Sequence, residues 1–352
     1  MSSAIILAMT LFVFQGDYQK GLLGKLTNPT RLKSSVLISG ETLNLFVTGL
    51  DRLGKDELVF FGQKDKLIKT YDLKSGRLSI FARDGEGPGE FREGFIFGSV
   101  VGETVVVQEW ASRQSKAISK NGTSWLVFET RWPIRSLVSV AGKYVVGMVS
   151  NPGSTYWDGD YVEKKLAADS NILFELGEEG RPWELHGTFF TEDFADDFDF
   201  DSTIGIKTNL YPIRDSSHFY RVPFYTSSVL QVMDISGQVV REIPIPHPFA
   251  SDIPKNVAIR LRLYKENPQD FIRDASVDRF GKLHVVLSNI RETEEDYSRR
   301  LGVVMDEHGK IEKGFLLDRP IRRFVVSEDG TRYFGIDEEE DALLEFHIPK
   351  GP

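Results

Sequence analysis

Gly85-Glu86-Gly87-Pro88-Gly89-Glu90-Phe91 is the stretch that predicts how this chain is organised. It holds three glycines and one proline within seven residues. That composition excludes a strand interior, because glycine favours φ > 0 and proline cannot donate to a β-ladder. Strand-like apolar sequence precedes the stretch and resumes at 95–107. We therefore expect a tight, specifically shaped crossing between two β units.

Outward from this crossing, one pattern of turn and strand recurs along the chain. Small or polar turn residues come first, and a short apolar strand follows them. The six copies align without a gap at Lys55–Gln63, Gly102–Trp110, Gly142–Ser150, Ser216–Phe224, Gly281–Asn289 and Gly330–Glu338. Their uneven spacing is expected if insertions lie in the loops.

Further apolar runs before and after each copy bring every unit to about four strands joined by hairpins, which is typical of a β-propeller blade. The sequence therefore predicts an all-β fold, a six-bladed β-propeller of four-stranded antiparallel blades over residues 34–349. The last unit lacks its outer strand, and Ser34–Ser39 is predicted to supply it and to close the ring. Two β-sandwiches are the alternative, although a sandwich does not require the same unit six times.

With its crossing motif Gly-x-Gly-Pro-Gly-Glu-Phe, the repeat resembles the bacterial six-bladed propeller proteins related to NHL-repeat and TolB-like propellers. The resemblance covers roughly residues 34–349, and its specific motif is confined to Gly85–Phe91. It implies the propeller fold and an exported or envelope location. This chain has no cysteine, so it lacks the residue that lipid-anchored members modify.

Composition narrows the function classes. A formal net charge of −9 weighs against a nucleic-acid partner, which requires a basic footprint. The absence of cysteine excludes disulfides, thiolate nucleophiles and Cys-based metal sites.

The longest apolar run, Ala4–Phe14, has about half the length that a membrane-spanning helix needs, and no integral span is predicted. Residues 1–16 are similar to a signal peptide whose basic start is missing, and no cleavage signal follows the run. We expect an exported protein, periplasmic or extracellular. A buried N-terminal segment is the alternative.

Basic residues recur at the start of the predicted innermost strands. The positions are Arg92, Arg135, Lys207, Arg273 and Arg322, each directly after Phe or Ile. In a propeller they converge on one mouth of the central channel, where a ring of cations would favour an anionic ligand. Alternatively, each cation pairs with a neighbouring acid and holds adjacent blades together.

The ends of the second strands are predicted to line the same mouth. They supply Glu109, Trp110, Asn289 and Asp337, a polar set with one large aromatic residue. The acidic run at 192–201 is expected to be a solvated loop, with a Ca²⁺ site as the alternative. The sequence contains neither a nucleophile elbow nor a P-loop, and no cofactor is predicted.

These observations favour a non-enzymatic, monomeric binding or scaffold propeller that engages a partner protein or a small anionic ligand on its loop-rich channel face. The alternative is a propeller hydrolase or lyase of the lactonase kind, with or without a metal. In that case Glu109 and Asp337 at the channel mouth would act as base or metal ligands.

Overall fold

The computed structural model describes residues 29–110, 112, 114–129, 134–149, 170–175, 181–190, 208–213, 217–223, 229–244, 272–288, 291–292, 295–296 and 299–348. Residues 1–16, the acidic run at 192–201, Lys207 and Asn289 lie outside this set, as does the side chain of Arg135. No helix in the described part of the chain is both long enough and apolar enough to span a membrane.

Nearly all of the described chain is β-structure. It begins with β1 (Thr30–Leu32), β2 (Ser34–Ile38) and the short helix α1 (Gly40–Leu43). The first sheet holds β3 (Gly49–Arg52), β4 (Glu57–Gly62), β5 (Leu67–Asp72) and β6 (Arg77–Arg83). The second holds β7 (Phe95–Val101), β8 (Thr104–Glu109), β9 (Gln114–Ile118) and β10 (Ser124–Glu129). The third holds β11 (Ile134–Val140), β12 (Tyr144–Val149), β13 (Ser170–Glu175) and β14 (Glu184–Phe190).

The later sheets repeat this order. The fourth holds β15 (Thr208–Pro212), β16 (His218–Pro223), β17 (Val229–Asp234) and β18 (Val239–Pro244). The fifth contains β19 (Ile272–Val277) and β20 (Leu283–Leu287), and a small ribbon follows of β21 (Arg291–Glu292) and β22 (Glu295–Asp296). The fifth then continues with β23 (Leu301–Met305) and β24 (Ile311–Leu317). The sixth holds β25 (Ile321–Val326), β26 (Arg332–Asp337) and β27 (Leu343–His347).

The two N-terminal strands join the last two sheets. β2 pairs antiparallel with β27, so it is the fourth strand of the sixth sheet. β1 pairs in parallel with β24 and adds a fifth strand to the fifth sheet, which the sequence did not predict. Leu32 of β1 is buried in the core between these two sheets.

The core lies between neighbouring sheets rather than within a single layer. Each apolar cluster of the described residues combines side chains from two consecutive sheets, and one cluster joins the sixth sheet to the first. The innermost strands β3, β7, β11, β15, β19 and β25 contact each other in that order, and β25 contacts β3. The arrangement is a β-propeller of four-stranded antiparallel blades.

Burial explains the hydrophobic pattern of the repeat. Second strands such as β4, β8 and β26 are buried along almost their whole length, because they have a strand on each side and a sheet on each face. They therefore read as continuous apolar runs. The outermost strands β6 and β18 are largely exposed.

The crossing at Gly85–Phe91 connects β6 of the first sheet to β7 of the second, as predicted. Its centre is filled by the Glu90 carboxylate, whose Oε2 accepts from the Gly87 N–H at 2.7 Å and whose Oε1 accepts from Arg83 Nε at 2.9 Å. A Cβ at Gly85 would come within 2.0 Å of that carboxylate. Gly89 has φ +73, and its Cβ would come within 2.7 Å of the Gly122 carbonyl oxygen. The glycines therefore make room for Glu90 and for the next sheet.

Short turns at one end of the ring share a five-residue pattern that the sequence reading missed. An Asp or Ser comes first and a glycine with φ > 0 comes fourth, in Ser119–Thr123, Asp234–Gln238, Asp278–Lys282, Asp306–Lys310 and Ser327–Thr331. In each, the glycine N–H donates to the carbonyl of the first residue. We call this end the turn end.

One of these turns corrects the alignment of the repeat. At Asp278 the backbone N–H bonds to the carbonyl of residue 282, whereas at Ser327 it bonds to that of residue 332, one position farther on. The sixth copy therefore has one more turn residue than the fifth. Leu287, not Ser288, pairs with the first residue of its neighbouring strand as Asp337 does, so the six copies do not align without a gap.

Candidate functional site

The predicted cation positions coincide with β-bulges at the other end of the ring, which we call the mouth. In β11, β19 and β25 the pairing register shifts at the second residue, at Arg135, Arg273 and Arg322. A bulge leaves its residue unpaired and redirects its side chain. In β7 the same shift falls at Ile96.

Arg92 is thus not part of that series. It lies in the crossing before β7, 64% exposed, 3.6 Å from the Glu86 carboxylate. Its backbone N–H, rather than its side chain, donates to Glu109 Oε1 at 3.0 Å. In the sequence, Phe91 lies farther from the turn glycine Gly102 than the bulge pairs of the other sheets lie from their turns. That longer spacing could have shown that Arg92 is not a bulge residue.

The mouth between the fifth and sixth sheets concentrates arginine side chains around one acid. Glu338 Oε1 lies 3.4 Å from Arg273 and also forms an ion pair with Arg299. Only 13% of the Arg273 side chain is exposed. Burial lowers the pKa of Arg273, against the attraction of Glu338, and the nearby charges of Arg299 and Arg323 lower it further. We call Arg273, Arg299 and Glu338 the mouth site.

Arg322 is held on two sides. Its guanidinium pairs with Asp341 and lies 4.4 Å from the centre of the Phe46 ring, which Lys64 also approaches at 4.2 Å. Such stacking favours a cation near the ring. An acid therefore pairs with this cation, but Asp341 belongs to the same sheet as Arg322, so the pair does not hold adjacent blades together.

These ion pairs nevertheless leave some buried polar atoms at the mouth without a hydrogen-bond partner. Among the described residues, the buried Nε–H groups of Arg273 and Arg322 have no acceptor, and the buried Oε2 of Glu338 has no donor. Buried polar atoms of this kind are uncommon in folded proteins and point to a bound water, ion or ligand.

The predicted acids at the ends of the second strands are engaged in local structure. Glu109 is almost fully buried and accepts from Lys116 Nζ at 2.5 Å and from Ser112 Oγ at 2.8 Å. Burial pushes the pKa of Glu109 up, but these hydrogen bonds hold it below its ordinary value. A carboxylate that is held in hydrogen bonds and has a lowered pKa does not suit a general base that must gain a proton near neutral pH.

Asp337 is likewise buried and caps the following turn. Its Oδ1 accepts from the N–H groups of Glu339 and Glu340 at 2.9 and 2.8 Å, and Arg319 lies 3.4 Å from its Oδ2. Trp110, by contrast, is 60% exposed, and its backbone N–H donates to the Gly94 carbonyl. Of the predicted polar set, Trp110 is the one with a described side chain that faces solvent.

The sequence reading named Asp274 as a possible partner for an arginine, but it missed Asp51 and the hydrogen bonds by which both carboxylates join neighbouring sheets. Asp51 accepts from the Val100 N–H of the next sheet at 3.1 Å, and Asp274 accepts from the Phe324 N–H of the next sheet at 3.0 Å. Ser136 and Ser276 cap neighbouring strands in the same way. These side chains link adjacent sheets around the channel. Acids within otherwise apolar strands were the signal for them.

Asp51 has a raised pKa. Burial raises its pKa to about 6, and the nearby Asp274 contributes to the rise, although hydrogen bonds from two backbone N–H groups and the charge of Arg52 oppose it. Asp274 also lies 3.5 Å from the Tyr211 hydroxyl. A carboxyl group with such a pKa exchanges protons near neutral pH.

A further buried group lies at the turn end. His284 contacts Asp278 Oδ2 through Nε2 at 3.1 Å and the Tyr333 hydroxyl through Nδ1 at 3.0 Å. Burial lowers the pKa of His284, although Asp278 attracts the charged form. All three side chains have partners, and they connect the fifth and sixth sheets. Among the described residues, no three His, Asp or Glu side chains are grouped so as to hold a metal ion.

Comparison with solved structures supports the fold alone. The chain is similar to a gluconolactonase from Xanthomonas campestris, with 12% identity, a TM-score of 0.51, and coverage of 90% of this chain and 89% of that one. It is also similar to a Bacteroides thetaiotaomicron protein of unknown function, with 10% identity, a TM-score of 0.50, and coverage of 90% and 76%. The β-propeller domain of Cps50 (Swd1) from Myceliophteria thermophila matches at 8% identity and a TM-score of 0.49, over 86% and 84% of the chains.

No family model matches the sequence, and no curated protein does so either. The gluconolactonase is a β-propeller, in agreement with the sheet arrangement. At these identities the likeness does not extend to activity.

Proposed function

We propose that this propeller is a binding protein that holds a small anionic ligand at the mouth site. One observation carries the proposal: at the mouth site Arg273 buries an Nε–H group that has no acceptor among the described residues, and the bulge arginine Arg322 of the next sheet buries another. A buried donor left unpaired costs roughly 1–3 kcal/mol, and an anion that accepts from Arg273 would remove that cost.

Charge and shape favour a ligand of this kind. Arg273 and Arg299 share one carboxylate, Glu338, so this group of three carries one positive charge in excess. Arginine presents planar donors that suit a carboxylate or phosphate. Both bulge arginines are mostly buried, at 13% and 14% side-chain exposure, which favours a small ligand over a flat protein surface.

The proposal includes the wider architecture. The six blades, their closure by β2 and a single domain over residues 34–349 are supported by the cyclic contacts of the innermost strands and by the β2–β27 pairing. Membership of the NHL-repeat and TolB-like group is supported by the crossing motif. Export is supported by the apolar run at Ala4–Phe14, and a monomer by the formal net charge of −9.

The test is calorimetric titration of the purified chain with acetate, lactate, phosphate and sulfate at constant ionic strength. We expect at least one to bind, and the double variant Arg273→Gln/Arg322→Gln to lose about tenfold or more in affinity, since a hydrogen bond to a charged group contributes about 1.5–3 kcal/mol. Arg77→Gln, an exposed arginine on the outermost strand β6, is the matched control. Unchanged affinity in the double variant would refute the proposal.

A second candidate function is hydrolysis or lyase chemistry in the central channel. The observation that favours it is that Asp51 has a raised pKa, about 6, to which the charge of a second carboxylate, Asp274, contributes. Asp51 would then replace Glu109 and Asp337 as the acid–base group, because its pKa is raised toward neutrality whereas hydrogen bonds hold the pKa of Glu109 below its ordinary value. Lactone turnover that disappears in Asp51→Asn would support this candidate, and equal turnover in that variant would exclude Asp51.

A further inference from the structure

The mouth site contains an unpaired acceptor as well as unpaired donors. Glu338 Oε1 is engaged by Arg273 and Arg299, whereas its Oε2 is buried and has no donor among the described residues. The Arg273 side chain carries an unpaired Nε–H beside the same carboxylate. A ligand that completes this site must therefore both accept and donate.

Simple anions meet half of that requirement. Acetate or sulfate accepts from arginine but has no proton to donate at neutral pH, so it leaves Glu338 Oε2 unsatisfied. It also places a second negative charge beside that oxygen. A neutral alcohol donates to Glu338 but leaves the excess positive charge of the two arginines uncompensated. A carboxylate with an adjacent hydroxyl meets both requirements.

We infer that the mouth site takes a 2-hydroxycarboxylate monoanion, whose carboxylate accepts from Arg273 while its hydroxyl donates to Glu338 Oε2. This inference rests on the proposed function, since it specifies the ligand class of the same site. A single negative charge matches the excess of one positive charge on Arg273, Arg299 and Glu338. A dicarboxylate would bring a second charge toward Glu338 and is disfavoured.

Lactate and propionate are matched probes, because they differ in the hydroxyl alone. We expect the wild-type protein to bind lactate at least about tenfold more tightly than propionate, the effect of one hydrogen bond to a charged group. Titration calorimetry at constant ionic strength measures both dissociation constants, and their ratio is the readout.

Glu338→Gln tests the acceptor. The arginines donate, so they draw the amide oxygen toward themselves and leave the amide NH₂ where Oε2 was. That group cannot accept from the ligand hydroxyl, and the lactate preference is expected to fall to about twofold or less. Propionate affinity stays equal or rises, because a negative charge has been removed.

Glu340→Gln is the matched control. It neutralises an acid in the same turn, paired with Arg319 outside the mouth site, and we expect the lactate preference to remain. Arg273→Gln is expected to weaken both ligands alike.

The outcomes separate the two proposals. If lactate and propionate bind equally and both depend on Arg273, the binding function stands and the 2-hydroxycarboxylate inference is wrong. If phosphate or sulfate binds but lactate does not, the inference is likewise wrong. If none of the anions binds, the proposed function fails and the inference fails with it.

Discussion

At the turn end, Asp278 gives both carboxylate oxygens to partners, whereas at the mouth Glu338 keeps one buried oxygen without a donor among the described residues. Asp278 lies in the turn between the first two strands of the fifth sheet, and Glu338 directly follows the second strand of the sixth sheet. At the turn end the polar groups are hydrogen-bonded locally, because side chains cap their own turns. The mouth holds buried donors and acceptors that still need partners. The difference separates groups that stabilise the ring from groups that are available to a ligand.

The largest expected effect comes from breaking the turn end at Asp278. Asp278→Ala leaves buried His284 without its acid and removes the acceptor for the N–H groups of Phe280 and Lys282. We expect the free energy of unfolding to fall by about 3 kcal/mol, because a hydrogen bond to a charged acceptor contributes about 1.5–3 kcal/mol and buried His284 is left with an unpaired nitrogen. Urea denaturation measures this change.

Asp306→Ala is the matched control for that variant, because Asp306 caps the N–H groups of His308 and Lys310 in an equivalent turn without a buried partner. It is expected to lose about 1 kcal/mol. Equal losses for the two variants would show that His284 gains nothing from Asp278.

The stability of the folded protein depends on pH through Asp51, because the pKa of Asp51 is raised to about 6 from an ordinary value of 3.8. The folded state therefore holds this proton more tightly than the unfolded state does. The stability contributed by protonated Asp51 is complete below about pH 4 and is lost as pH rises through about 6. A shift of two units corresponds to about 2–3 kcal/mol.

Asp51→Asn keeps an oxygen that accepts from the Val100 N–H but carries no charge. We expect this variant to lose that pH dependence and to be more stable than the wild type above pH 7. Chemical denaturation at intervals from pH 4 to 8 measures the slope. Parallel curves for the two proteins would show that Asp51 has an ordinary pKa.

Gly89 tests the connection between sheets. Gly89→Ala places a Cβ 2.7 Å from the Gly122 carbonyl oxygen and imposes φ +73 on alanine. We expect a loss of about 2 kcal/mol, within the range of about 1–3 kcal/mol for strained backbone. Gly102→Ala is the control, since it has φ +62 but open space around the Cβ, and about 1 kcal/mol is expected. A Gly89 variant no less stable than the Gly102 variant would mean that the crossing can shift away from Gly122.

Those positions also show how far sequence alone reaches. The repeat and the crossing at Gly85–Phe91 were readable, because continuous apolar second strands and glycine-rich turns are local signals. Arg273 and Arg322 were found because they follow isoleucine at a fixed distance from a turn. Arg92 was misplaced because a bulge is a property of pairing between strands, which spacing along one strand does not report.

The rest depended on contacts between distant parts of the chain. Glu338 was noted as a strand end, but its unpaired oxygen follows from the places of Arg273 and Arg299, far from it in sequence. The link from Asp51 to Val100 likewise crosses between sheets. The parallel pairing of β1 with β24 could not be predicted, because the three residues of β1 carry no pattern that indicates a partner strand.

The smallest expected effect on stability belongs to the mouth itself. In Arg273→Gln/Arg322→Gln, Glu338 keeps Arg299 as a partner and Asp341 is 41% exposed, so neither acid is left buried and alone. Removing Arg273 also relieves repulsion from Arg299 and Arg323. Each substitution also removes a buried Nε–H that has no acceptor among the described residues, so we expect unfolding free energy to change by about 1 kcal/mol or less while anion affinity falls. A loss as large as that of Asp278→Ala, with affinity unchanged, would make the arginines structural and remove the distinction between the two ends.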